Sequence, residues 1–250
     1  MTDDDLAWAA EEACQNAWPS AKQIILQGWL LRASGGPIRR TNSVNPLRTG
    51  PSDPSAVIDA VEAIYARLGQ PSLFRVPAIV PEMDAPLAQR GYLREGETCT
   101  LFNDFTQARK PAVDVEHTPE PSDDWIATWA RLFDRAPSAT PIYRTMVSLI
   151  VLPKVFAARR VDGAIVSICY GTIHDRMLVV ESVATDPAHR QQGHGSQTVG
   201  SLIDWAKQNG ADCSCLQVVA DNTAGHALYR SLGFARELFR YHYRVKPVNG

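Results

Sequence analysis

Arg190, Gly193 and Gly195 stand in the order Arg-x-x-Gly-x-Gly within the run Thr185-Asp186-Pro187-Ala188-His189-Arg190-Gln191-Gln192-Gly193-His194-Gly195. Residues of these types at this spacing suit an anion. Glycines let successive backbone N–H groups approach it closely, and a helix N-terminus adds unpaired donors and a positive dipole. An arginine supplies a charged fork beside them. A pyrophosphate fits that description.

The flanking residues supply the elements that must position such a loop. Before it, Met177-Leu178-Val179-Val180-Glu181-Ser182-Val183 is rich in β-branched residues and reads as a strand. After it, Val199, Leu202, Ile203 and Ala206 recur at helical spacing. Strand alternation places Glu181, Val183 and Thr185 on one face and Val180, Ser182 and Ala184 on the other. A second segment, Asn222-Thr223-Ala224-Gly225-His226-Ala227-Leu228-Tyr229-Arg230-Ser231-Leu232-Gly233-Phe234, follows another strand-like run, Cys213 to Ala220. Its Asn222, His226 and Tyr229 stand at i, i+4 and i+7 and share a helical face.

Together the two segments resemble the GNAT superfamily, the acetyl-CoA-dependent N-acyltransferases. The first is similar to its cofactor loop, the second to its late helix with an Asn, a Tyr and a terminal Gly-Phe. The resemblance implies an α/β fold with a mixed, mostly antiparallel twisted sheet flanked by helices. It implies acetyl-CoA as acyl donor and no metal, with Arg190, Gln191, Gln192, Gly193, His194, Gly195 and Ser196 around the pyrophosphate. Backbone groups of Val183, Ala184 and Thr185 would accompany the pantetheine arm, with Asn222 and His226 at its edge. Acyl transfer to an amine needs a base for the amine proton and an acid for the departing thiolate. By resemblance Glu181 is the candidate base, and Tyr229 the candidate acid and a cofactor contact. Simpler roles stand beside these: a strand-edge glutamate paired with an arginine, a half-buried aromatic ring, and for Asn222 a helix N-cap.

The chain also resembles itself. Asn45-Pro46 falls on Asp186-Pro187 at an offset of 141, and Gly69 then falls on Gly210. Gly91-Tyr92 falls on Gly233-Phe234 at an offset of 142. Two tandem GNAT-like domains follow, 1–107 and 108–250, with the boundary region spanning 106 to 121. The first is expected to hold a helix Leu6–Ala17 and two strands, Gln23–Arg32 and Ile38–Val44, joined by Gly35-Gly36-Pro37. Where the glycine loop would be it has Leu47-Arg48-Thr49-Gly50-Pro51-Ser52-Asp53-Pro54, and Leu87 stands at the place of Tyr229. Two prolines remove backbone donors and leucine carries no proton, so this half is expected to be degenerate. The second half is expected to open with a strand at Val113–Val115. A helix with Trp125 and Trp129 follows, then strands Lys154–Arg160 and Ala164–Thr172 around the turn Asp162-Gly163.

Bulk properties exclude several classes. The formal charge is −2 over 250 residues, which argues against nucleic acid or an anionic membrane as the main partner. No apolar run approaches the ~18 residues of a membrane span. The start Met1-Thr2-Asp3-Asp4-Asp5 is acidic where a secretory signal would be basic. Five scattered cysteines suit a reduced, cytoplasmic protein, and Cys213 and Cys215 read as buried strand cysteines. The favoured reaction is direct transfer to a primary amine of a small molecule, by a monomer or homodimer. A protein N-terminus or lysine is the alternative acceptor, and a non-catalytic acyl-CoA sensor the alternative class. Trp125, Trp129, Tyr143, Arg144 and Tyr170 are candidates to line the acceptor site. Arg39-Arg40-Thr41-Asn42-Ser43 reads as a solvated strand edge, with the groove between the halves as the other possibility.

Overall fold

The computed structural model describes residues 2–107 and 112–247. The expected boundary between 107 and 108 falls at the edge of that range, and its flank 108–111 lies outside the described residues. The first half runs α1 (Asp3–Ala17), β1 (Gln23–Leu26), β2 (Trp29–Arg32), β3 (Val44–Pro46), α2 (Ile58–Arg67), β4 (Leu73–Pro77), α3 (Asp84–Gln89) and β5 (Leu93–Asn103). The second opens with β6 (Glu116–Thr118), α4 (Asp123–Leu132) and α5 (Ala139–Ser148). It continues through β7 (Lys154–Val161), β8 (Ala164–His174), β9 (Met177–Thr185), α6 (His194–Gln208), β10 (Cys213–Val219), α7 (Thr223–Ser231) and β11 (Arg236–Val245). From the β1–β2 and β7–β8 hairpins onward the two halves share one order of elements.

Three strand expectations need correction. Gln23–Arg32 is a hairpin, because Gln27 and Gly28 both take positive φ, 47° and 85°, as a type I′ turn requires. Ile38–Val44 is mostly a 3₁₀ turn at Arg39–Thr41. The Asn42 side chain holds that turn, accepting the Ser34 and Gly35 N–H groups at 2.9 Å and donating to the Ile38 carbonyl at 2.8 Å. The strand foreseen at Val113–Val115 forms three residues later, since Asp114 adopts φ 53° and breaks the extended run.

Among the described residues all strands join one 11-stranded sheet, in the order β1-β2-β3-β4-β11-β5-β10-β9-β8-β7-β6. The last strand of each half crosses into the other. β5 pairs with β10 from Thr98↔Val219 to Asn103↔Ser214, and β11 pairs with β4 from Tyr241↔Pro77 to Val245↔Leu73. Strands β9 and β10 run parallel but pair only from Met177↔Cys213 to Val180↔Leu216. Beyond Val180 the edge of β9 facing β10 is unpaired, and the sheet opens there.

Helices cover both faces. Val199, Leu202, Ile203 and Ala206 of α6 pack on Leu178, Val180 and Leu216, as their spacing foretold. On the other face Cys14 of α1, Trp125 and Trp129 of α4 and Tyr143 of α5 surround Phe156, Tyr170 and Val179. The first half has its own core of Trp29, Val61, Tyr65, Phe74, Leu87 and Tyr92. Each buried aliphatic side chain stabilises by about 1.5–3 kcal/mol, enough to hold a strained loop between them.

Candidate active site

Three helices begin under a side-chain cap. The Thr2 hydroxyl accepts the Asp5 N–H at 3.1 Å, Ser122 that of Trp125 at 3.1 Å and Asn222 that of Gly225 at 3.0 Å. Helix α6 begins at Gly193 with φ 83° and no side-chain cap, so its first N–H groups are left for another acceptor. Gln191 before it is also left-handed, at φ 61°. A Cβ on Gly195 would stand 3.0 Å from the Thr185 hydroxyl, a tight contact, so glycine eases the close approach of α6 to β9.

This start of α6 faces a cleft of about 640 Å³ at the opening between β9 and α7. Val183, Ala184, Thr185, Arg190, Gln191, Gly193, His194, Gly195, Ser196, Asn222 and Tyr229 line it. Gln192 and His226 do not. The Gln192 amide donates back to the Ala188 carbonyl at 3.3 Å, and His226 lies toward Glu237 on β11. The His194 ring accepts from Arg159 Nε at 2.9 Å, and partial burial together with that cation holds its pKa below the usual range. The uncapped helix start and the free edge of β9 fit the pyrophosphate and the pantetheine arm of acetyl-CoA respectively.

The alternation expected along β9 is broken. Ser182 takes φ 51°, and β8 pairs Tyr170 with Glu181 but Ile168 with Ala184, so β9 carries one extra residue. Val183 consequently returns to the α6 side with Val180, while Glu181 continues the opposite face behind Val179. Glu181 and Val183 therefore do not share a face. The bulged Ser182 is held by its hydroxyl, 2.8 Å from that of Tyr143.

Glu181 is buried, 3% exposed, and both its oxygens accept from one arginine of the first half. Arg40 Nη1 donates to Oε1 at 2.7 Å and Nη2 to Oε2 at 3.0 Å. Nη1 also donates to the Gln217 side-chain oxygen at 3.1 Å, and the guanidinium lies 4.7 Å from the Trp18 ring centre. Burial opposes the Arg40 charge, but the Glu181 carboxylate more than offsets it and raises its pKa above the arginine range. Arg39–Ser43 is thus not a solvated edge: Arg40 reaches into the groove between the halves.

That groove is a second chamber, of about 510 Å³. It meets the first cleft at Phe133, Val183, Asn222 and Tyr229, which line both. Tyr229 is buried at this junction, and desolvation, with smaller contributions from Cys169 and Glu181, pushes its phenol pKa well above the ordinary value. It stays protonated at neutral pH and can donate. Asn222 combines its capping bond with a place in both cavities.

Of the residues suggested for an acceptor wall, Trp129 lines the chamber. Trp125, Tyr143 and Tyr170 are core, and Arg144 is exposed and paired with Asp123 at 2.8 Å. Gln217 and Trp18 went unforeseen as part of the site, as did the pairing of Arg40 with Glu181, although the groove was the second possibility for Arg39–Ser43. One signal could have found Arg40: it precedes Glu181 by 141 residues, the offset of the repeat itself. The two are equivalent positions of the two halves that meet where the halves face each other.

The family model described as "Probable histone acetyltransferase Rv0428c C-terminal" matches residues 8–244. The Mycobacterium tuberculosis protein "Probable histone acetyltransferase Rv0428c" is 30% identical over 244 residues, covering 96% of this chain and 73% of that protein. The Bacillus subtilis "Uncharacterized N-acetyltransferase YobR" is 27% identical over 94% of this chain and 97% of its own length. In fold, a GCN5-related N-acetyltransferase from Kribbella flavida matches with a TM-score of 0.70, 16% identity and coverage of 98% and 96%. A tandem GNAT protein from the clavulanic acid biosynthesis pathway matches with a TM-score of 0.62, 12% identity and coverage of 83% and 76%. The chain belongs to this family of GNAT N-acetyltransferases and uses acetyl-CoA as its acetyl donor.

Proposed function

We propose that the chain moves the acetyl group directly to a primary amine of a small molecule bound in the chamber between the halves. The observation that carries this reading is the junction: the glycine-loop cleft and a chamber walled by both halves meet at Tyr229 and Val183. Acetyl-CoA supplies an activated acetyl thioester, held by Arg190 and the N–H groups of Gly193 to Ser196, with its arm along the free edge of Val183 to Thr185. Glu181 accepts the proton of the attacking amine, directly or through water. Arg40 occupies two of its roughly four lone-pair sites and fixes its plane. The backbone beside Val183 offers an N–H to the oxygen that gains charge, and the Tyr229 hydroxyl gives its proton to the departing sulfur. The first half supplies Arg40 and part of the chamber wall, and carries no cofactor.

A peptide acceptor is the second reading. A groove of about 480 Å³ shares Pro37, Ile38 and Arg39 with the chamber and would let a chain pass. Release of CoA in the presence of amine and peptide panels separates the two. Tyr229→Phe is expected to lower kcat by about 10²-fold while acetyl-CoA still binds. Unchanged turnover in that variant would remove Tyr229 as the acid, and absence of turnover by the parent protein with every amine and peptide would leave the sensor reading.

A further inference from the structure

We propose that the amine acceptor carries an anionic group, a carboxylate or a phosphate, and that the arginines of the chamber hold it. The proposal rests on the chamber between the halves being the acceptor site. Its wall brings Arg39, Arg40 and Arg135 against one carboxylate, Glu181. That carboxylate is met on both oxygens by Arg40, so it is no free countercharge for a polycation. Arg39 is paired with Glu95 at 2.6 Å, but both side chains are nearly half exposed and such a pair is easily exchanged. Arg135 is exposed. Among the described residues it enters no ion pair, whereas Arg131 and Arg144 are matched by Asp186 and Asp123.

The remainder of the wall suits an apolar or flat body. Trp18, Trp129, Phe133, Tyr241 and Tyr243 face the chamber around Tyr229. A guanidinium presents paired donors that match a carboxylate or phosphate, and a polyamine or lysine-rich peptide would meet like charge. The acceptor is therefore an amine at one end, reaching Glu181, and an anion at the other, reaching Arg135 and Arg39.

The test is CoA release from acetyl-CoA with matched amines. Phenylalanine is compared with phenylalaninamide, 6-aminohexanoate with 6-aminohexanamide, and 2-aminoethyl phosphate with ethanolamine, with spermidine as the polycation. The anionic member of at least one pair is expected to lead in kcat/KM by about tenfold, and which pair responds separates carboxylate from phosphate. In Arg135→Gln, and further in Arg135→Gln with Arg39→Gln, KM for that member should rise about fivefold or more while its neutral partner changes little. Preference for the neutral members or spermidine would overturn the anionic acceptor, and an anionic preference that both variants retain would overturn its assignment to Arg135 and Arg39. Turnover of no member, with acetyl-CoA shown to bind, would overturn transfer to a small amine and this proposal with it.

Discussion

Arg40 and Glu181 are worth most to the molecule as a pair. Removing one partner leaves a charge buried and unmatched, which costs about 3–5 kcal/mol in sites of this kind. Arg40→Ala is expected to lose stability on that scale in urea unfolding. Arg40→Lys is expected to recover only part of it, because an ammonium cannot take both oxygens as the guanidinium fork does. A loss below about 0.5 kcal/mol for Arg40→Ala would show that the pair is solvated. Glu181 and Tyr229 could be read from the chain, because their spacing to the glycine loop and to Gly233-Phe234 is local. Arg40 could not be read that way, since its contact with Glu181 exists only once the two halves meet. The bulge at Ser182 was equally hidden: no residue in Glu181-Ser182-Val183 demands positive φ, and the pairing with β8 imposes it.

At the level of elements, the β7–β8 hairpin at Asp162-Gly163 and the long helices follow from turn chemistry and periodicity, whereas the β1–β2 hairpin was hidden because Gln27-Gly28 sits inside an otherwise apolar run. The exchanged strands were hidden too, because β5 and β11 carry near-equivalent patterns and their partners are decided by tertiary contact. Their exchange is secured by charge as well as by ladder bonds. Asp84 of α3 accepts from Arg244 of β11 at 2.7 and 2.8 Å, and His242 of the same strand stands 2.5 Å away. The Arg244 hydrogen bonds outweigh partial burial, and with help from His242 they bring the Asp84 pKa down to about 2 from 3.8. A carboxylate depressed in the folded state adds stability that is full above pH 4 and lost as pH falls toward 2. With Asp84 about one-third exposed, the contribution is about 1–2 kcal/mol. In Arg244→Met, stability measured from pH 5 to 2 should start lower and fall less steeply than in the parent. Parallel curves would show that Asp84 does not anchor β11.

For the whole molecule, one sheet with exchanged strands makes the halves mutually dependent. Strand β11 lies between β4 and β5, so the first half lacks an interior strand without the last residues of the chain. Tryptophan fluorescence reports both halves, through Trp8, Trp18 and Trp29 and through Trp125, Trp129 and Trp205. Its urea transition is expected to coincide with that of far-UV circular dichroism, as a single cooperative unit requires. Two separated transitions would mean two independently stable domains. The same architecture gives a half without a glycine loop its place in the proposed reaction: it carries the arginine that pairs with Glu181 and part of the chamber wall. That division of labour is tested most directly by isothermal titration of acetyl-CoA into the intact chain and into Gly193→Asp with Gly195→Asp. One acetyl-CoA per chain, lost in the variant while its circular dichroism is unchanged, is the expected result. Two bound per chain, or binding that survives in the variant, would contradict it.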